Sequence, residues 1–240
     1  MSGKRPLHIL STTFRPLYQF LYPPLCLVCD APLVDAGFKV CALCWRSVRP
    51  VSASDELYRR RVLRLEEKGF ISGLISAYHF ERDGTLQSLV HLLKYSGMTN
   101  VGNELGRRLG WIAQDQLLRL PVEGIVPVPL HSAKERERGY NQSTFLAEGL
   151  SDATGLPIFS GLLVRHKYTT SQTLLTLEER KANVGDAFSV RPASVGIVRG
   201  RLFVVLDDVL TTGATIGACA EALIGSGASG VLACTVALAE

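Results

Sequence analysis

The sequence predicts an α/β fold, a parallel sheet flanked by helices, with a small cysteine-stapled module in front of it. Three observations carry this. Short apolar runs of strand character alternate with helical patterns after residue 70. One such run, Leu202-Phe-Val-Val-Leu206, leads into Asp207-Asp208 and the small, hydroxyl-rich loop Thr211-Thr-Gly-Ala-Thr215. Near the front, Cys26-x2-Cys29 and Cys41-x2-Cys44 form two close pairs eleven residues apart.

Residues 20–50 are read as the front module. Two Cys-x-x-Cys turns can place four sulfurs at the corners of a tetrahedron, which suits a structural Zn²⁺. The segment Asp30–Phe38 reads as a short hairpin with Gly37 near its tip, and Pro23-Pro24 as a stiff entry. Some thirty residues are too few for a core of their own, so metal binding would supply folding energy on the order of 10 kcal/mol. A redox pair and two disulfides are the alternatives, but a thioredoxin-like context is absent, and reduced thiols are expected in a cytoplasmic protein. Four thiolates leave no open position for catalysis. Cys219 and Cys234 sit in small-residue apolar segments and read as inert core residues.

Residues 51–72, with Arg59, Arg60, Arg61 and Arg64, read as a linker or solvated helix. Residues 73–240 form the main domain. Gly73–Phe80 is expected as a strand, 84–95 as an amphipathic helix and 101–120 as a second helix closed by Pro121. Gly124–Leu130 is apolar, but Pro127 and Pro129 exclude a fully hydrogen-bonded central position. A basic loop, Lys134–Gln142, precedes a helix to about Asp152, and 156–165 is expected as a strand. Thr169–Thr176 suits a loop, Glu178–Val184 a helix, Ala187–Val190 a short strand and Gly230–Leu238 a final buried strand.

Composition narrows the function. A hydrophobic share of 47% with 20% charged residues is that of a folded globular chain. The 26 basic and 22 acidic residues are interspersed, and a net charge of +4 does not by itself announce a nucleic-acid binder. No segment reads as a transmembrane span or signal peptide, so a cytoplasmic location is expected.

The chemistry concentrates at residues 202–215. Two acceptor-only carboxylates suit vicinal ribose hydroxyls. Thr211, Thr212 and Thr215 offer hydroxyl donors, Gly213 permits a tight turn, and N–H groups opening the next helix, including those of Ala214 and Thr215, face an anion. No Lys follows the glycine, so the loop is not of Walker type. A buried strand ending in an N-capping Asp would be the structural alternative.

This stretch resembles the PRPP-binding motif of type I phosphoribosyltransferases, where PRPP is 5-phosphoribosyl pyrophosphate. The resemblance makes Asp207 and Asp208 ribose ligands and Thr211–Thr215 the phosphate cradle. The cysteine quartet, Val126-Pro-Val-Pro-Leu130 with Arg138-Gly-Tyr-Asn-Gln142, Gln172–Phe188 and the Asp-Asp motif, in that order, resemble the ComF family from about Pro23 onward. Membership implies a zinc-ribbon-like module followed by a phosphoribosyltransferase-like domain and a link to DNA uptake during competence. Carried over residue by residue, it places Arg138, Gly139, Tyr140, Asn141 and Gln142 in the pyrophosphate region, with Lys94 and Tyr95 in a further family motif. Gln172 and Arg180 then fall in the flexible catalytic loop.

The resemblance further implies PRPP, or a related ribose phosphate, as ligand, with Mg²⁺ entering alongside it. Residues 165–215 also resemble glutamine-dependent amidophosphoribosyltransferases, but the N-terminal part is expected to hold no glutaminase, since its cysteines are used in the quartet and Met1 is followed by Ser2. Arg138 has a bland reading as a surface charge paired with Glu135 or Glu137, and lone histidines such as His131 and His166 are more often structural. Three functions stay open: an active phosphoribosyltransferase with an unnamed acceptor, a non-catalytic PRPP or nucleotide module, and a competence factor that grips single-stranded DNA or competence proteins. Trp45, Tyr58 and Arg59–Arg61 are the candidates for DNA contact.

Overall fold

The computed structural model describes residues 23–35, 37–67, 69–166 and 187–240. The chain divides into two compact units between Ser47 and Val48.

In the first unit, Cys26 N–H donates to Ala31 O and Leu27 N–H to Lys39 O, with an antiparallel bridge between Leu25 and Pro32. Gly37 N–H caps onto Asp35 Oδ1 at 2.7 Å, so the segment expected as a hairpin is a pair of turns, with no strand ladder among the described residues. Helix α1 (Ala42–Arg46) starts at Cys41, whose sulfur accepts from Cys44 N–H.

The second unit opens with α2 (Glu56–Glu66), then β1 (Gly73–His79), α3 (Thr85–Tyr95), α4 (Thr99–Leu117) and β2 (Val122–Pro127). After these come α5 (Ser132–Arg138), α6 (Gln142–Thr154), the antiparallel pair β3 (Leu163–Arg165) and β4 (Phe188–Val190), and a short α7 (Val195–Val198). The chain finishes with β5 (Leu202–Leu210), α8 (Ala214–Gly225) and β6 (Gly230–Leu238). The main sheet runs β1-β6-β5-β2 and every pairing is parallel. Both faces of such a sheet must be covered, which explains why β6 is buried at every position and β5 carries an unbroken apolar run from Phe203 to Leu206.

One face packs on α8 and the β3–β4 pair through Phe203, Val205, Val231, Ala233, Phe188, Ala218 and Leu223. The other face is covered by α4, which packs on β1 and β6, and α6, which packs on β5 and β2. Helices α4 and α6 cross closely because of glycines. A Cβ on Gly106 would lie 2.1 Å from Leu146 O, and one on Gly149 would lie 2.1 Å from Asn103 O.

Three further expectations change in the second unit. Lys134–Arg138 is helix, not loop: its Lys, Glu and Arg residues are good helix formers, His131 caps the start, and Gly139 at φ 83° ends it. The strand expected over 156–165 divides into a single bridge of Ile158 to Ile125 and then β3, because Gly161 at φ 76° turns the chain between them. β5 also continues past the acidic pair to Leu210, since β6 stays in register beside it as far as Leu238. β2 behaves as its prolines require: β5 pairs along one side, and on the other a single bridge at Ile158 is held by Ile125 N–H donating to Pro157 O and Phe159 N–H donating to Ile125 O, both at 2.8 Å. Gln172, Arg180 and the expected loop and helix over 169–184 lie outside the described residues.

Candidate functional site

The four thiols of the first unit gather within 4.8 Å of one another. Cys26 and Cys44 sulfurs are 3.9 Å apart and those of Cys29 and Cys41 3.7 Å. A disulfide needs about 2.05 Å. A tetrahedron with Zn–S bonds of about 2.3 Å has edges of about 3.8 Å, which the two spacings bracket. Cys41 N–H donates to the Cys26 sulfur at 3.3 Å. Burial pushes the Cys26 thiol up, but the N–H groups of Cys41, Val28 and Cys29 outweigh it and bring it to about 6. Burial and the neighbouring sulfurs push Cys44 up. A cluster of sulfurs this close fits a cation with four thiolate ligands. Cys219 and Cys234 are buried elsewhere, and burial raises both thiols, Cys234 to about 12.

The acidic pair lies inside β5, opposite Thr235 of β6 at Asp207. Asp207 Oδ1 accepts from Asp208 N–H at 2.9 Å and from Ser143 Oγ, at the start of α6, at 3.4 Å. Burial, then the negative charge of Asp208, lifts its carboxyl from 3.8 to about 7, while Asp208 N–H, Lys94 and Ser143 pull the other way. Asp208 is only 5% exposed. The ammonium of Lys94, from the last turn of α3, sits 2.8 Å from its Oδ2, an ion pair at an oxygen that no hydrogen bond reaches.

β5 gives way to the loop Thr211-Thr212-Gly213, whose threonines are exposed. Gly213, at φ 79°, is the N-cap of α8, so the first N–H groups of a twelve-residue helix open beside the carboxylates. Ala214 N–H is held by Thr212 Oγ1 at 3.3 Å. A Cβ at Gly213 would meet Leu65 Cδ2 of α2 at 2.5 Å, so α2 lies directly on the turn.

Beside Lys94 is a cleft of about 270 Å³ lined by Lys94, Tyr95, Gly97, Lys134, Arg138 and Tyr140, with Glu137 at its side. The Arg138 guanidinium stacks over Tyr95 at 5.7 Å and donates to Gln142 Oε1, rather than pairing with Glu135 or Glu137. The rest of the Arg138–Gln142 motif builds the α5–α6 junction. Gly139 closes α5, Tyr140 O–H donates to Leu93 O, and Asn141 caps α6 while its Nδ2 donates to Val128 O at 3.0 Å. Those bonds tie the cleft to the end of β2 and to α3. The two lone histidines each make a local hydrogen bond: His131 Nδ1 accepts from Ala133 N–H, and His166 meets Ser189 Oγ at 2.6 Å.

Asp207, Asp208 and Lys94 are therefore brought together, with Arg138 across the same cleft as Lys94. Ser143 escaped the sequence reading, as did the pairing of Lys94 with Asp208. Nothing local marks either contact; the only signal is that Ser143 adjoins the Arg138–Gln142 motif.

The double zinc ribbon domain family matches residues 17–55. The chain is 31% identical over 226 residues to the DNA utilization protein YhgH of Salmonella typhimurium, covering 87% of this chain and 94% of that one. It is 33% identical over 135 residues to competence protein F of Haemophilus influenzae, covering 55% and 58%. Among solved structures, the glutamine phosphoribosylpyrophosphate amidotransferase from B. subtilis is similar at a TM-score of 0.41 and 22% identity, over 61% of this chain and 30% of that one. No helix among the described residues is long and apolar enough to cross a membrane.

Proposed function

This chain belongs to the ComF family, and on that premise we propose that it binds PRPP, or a closely related ribose phosphate, with magnesium, in a process linked to DNA uptake. The relatives' names support the DNA link. The single observation that carries the ligand is the run from Asp207 to Thr215, in which a half-buried and a buried carboxylate, an αL glycine and the N-terminus of α8 follow one another in nine residues.

Each part has a role in this reading. Asp207 and Asp208 accept hydrogen bonds from the vicinal ribose hydroxyls. Burial and the charge of Asp208 raise the Asp207 carboxyl above the ordinary carboxylate range, to about 7. Thr211, Thr212 and Thr215, with the first amides of α8, hold the 5′-phosphate. Lys94, Lys134 and Arg138 face the pyrophosphate from the cleft, where a guanidinium fork matches phosphate oxygens. Lys94 then exchanges Asp208 for phosphate, which frees the carboxylate as the ribose arrives. Magnesium would come with the phosphates and neutralise their charge.

Bond cleavage between ribose C1 and pyrophosphate builds negative charge on the leaving group, and this cleft is where the cations stand. Transfer to an acceptor is the enzymatic form of the proposal. The four cysteines have a separate, structural role as zinc ligands.

Calorimetry of PRPP with Mg²⁺ against the zinc-loaded protein tests the reading. Micromolar binding that disappears in Asp207→Asn/Asp208→Asn supports it, and pyrophosphate release on adding acceptors would establish transfer. Absence of binding to the unaltered protein would remove it.

A further inference from the structure

We propose that α2 carries a second anion site, separate from the β5–α8 loop, which takes the phosphate of a nucleotide between Arg60, Arg61 and Arg64. The three arginines line a cavity of about 780 Å³, within the range that holds small ligands, together with Leu57, Leu63 and Glu67.

Their arrangement crowds like charges on one helix face. Arg60 and Arg64 stand at i and i+4 on one helix, a spacing at which like charges destabilise. Arg61 is pinned inward: its Nη2 donates to Ala239 O at 3.3 Å, and its buried Nε has no hydrogen-bond partner. Burial, then Arg64 and Arg60, weighs against its charge. Few close ion pairs reach these arginines from the nearby acids. Glu56 is shared by Arg59 at 3.4 Å and Arg60 at 3.8 Å. Arg64 has neither an ion pair nor a hydrogen bond among the described residues, and Glu67 and Glu240, which also line the cavity, pair with no arginine there.

Guanidinium forks select phosphate oxygens over a plain point charge. Leu57 and the exposed Leu63 add apolar wall, which suits the sugar and base attached to a phosphate better than inorganic phosphate alone. The cavity also stands next to the first site. Leu65 packs on Gly213, and Ala239, which anchors Arg61, donates its N–H to Leu210 O at the end of β5. A nucleotide phosphate in this cavity is thus held near the β5–α8 turn without using the acidic pair.

The shared chemistry has two sources, a free mononucleotide and the terminal phosphate of a DNA strand. The test measures anisotropy of a fluorescent 5′-phosphorylated decathymidylate on the full zinc-loaded chain, with the unphosphorylated strand and thymidine monophosphate as comparisons. Arg60 and Arg64 are solvent-facing, so Arg60→Gln/Arg64→Gln is expected to keep the native circular dichroism spectrum. It should weaken the phosphorylated probe at least tenfold, while Asp207→Asn/Asp208→Asn leaves binding unchanged. Displacement by thymidine monophosphate supports the site with a mononucleotide as ligand. Tenfold loss in the arginine variant without displacement supports it with a strand end as ligand. Equal binding by the arginine variant, equal binding of the unphosphorylated strand, loss in the aspartate variant, or no binding to the unaltered protein would overturn it.

Discussion

Replacing Asp207 with Asn should stabilise the ligand-free protein at neutral pH and above. Burial and Asp208 lift the Asp207 carboxyl from 3.8 to about 7 in the fold, and in the unfolded chain it returns to an ordinary value. Between those two pH values the native state holds a proton that the unfolded state has lost. Stability therefore falls as pH rises through the window, and the penalty is complete above about pH 7. The full shift corresponds to roughly 4 kcal/mol. Part of the Asp207 side chain meets solvent, and screening brings the expectation down to about 2 kcal/mol. Asn keeps Oδ1 for Asp208 N–H and Ser143 Oγ and carries no charge. Urea denaturation of the full zinc-loaded chain at pH 5 and pH 8, followed by far-UV circular dichroism, gives the comparison. About a third of the penalty has already accrued at pH 5, so the variant should gain about 1 kcal/mol more at pH 8 than at pH 5. An equal gain at both pH values, or a loss at pH 8, would refute the reasoning.

Lys94→Met removes the ammonium 2.8 Å from Asp208 and leaves a nearly buried carboxylate without its cation. A loss of about 3 kcal/mol is expected in denaturation. Asp207 should also titrate higher than in the unaltered chain, read by carboxyl NMR. Gly106→Ala forces a methyl against the Leu146 carbonyl, backbone on backbone, and should cost more than about 3 kcal/mol. Gly217→Ala in α8 meets nothing within 4 Å and should instead stabilise by roughly 0.5–1 kcal/mol, so the two variants should move the melting temperature in opposite directions. Chelation should release one zinc per chain and abolish amide protection over residues 23–47 while the sheet unit keeps its own.

What could be read from the sequence was whatever its chemistry keeps contiguous. The Cys-x-x-Cys pairs announce themselves because each turn holds two ligands, and the motif from Leu202 to Thr215 places strand, acids, turn and helix start in one run. Strand positions were legible because a buried parallel sheet demands near-continuous apolar runs, as in β5 and β6. Contacts between distant residues were not. Ser143 reaches Asp207 across 64 residues, and Lys94 reaches Asp208 from another helix. Gly102, Gly106 and Gly110 recur every four residues along α4 and mark the seam against α6, yet isolated glycines in a helical pattern read as weak points until a partner helix is known. The charged run 134–138 looked like a loop because it buries nothing; its capping at His131 and Gly139 decides the helix.

The most direct test of the ribose-phosphate site is hydrogen–deuterium exchange on the zinc-loaded chain with and without PRPP and magnesium. The account predicts new protection of the amides from Thr211 to Gly217 and around Lys94 and Arg138, absent in Asp207→Asn/Asp208→Asn. Protection confined to other surfaces, or an unchanged β5–α8 loop at saturating PRPP, would contradict it.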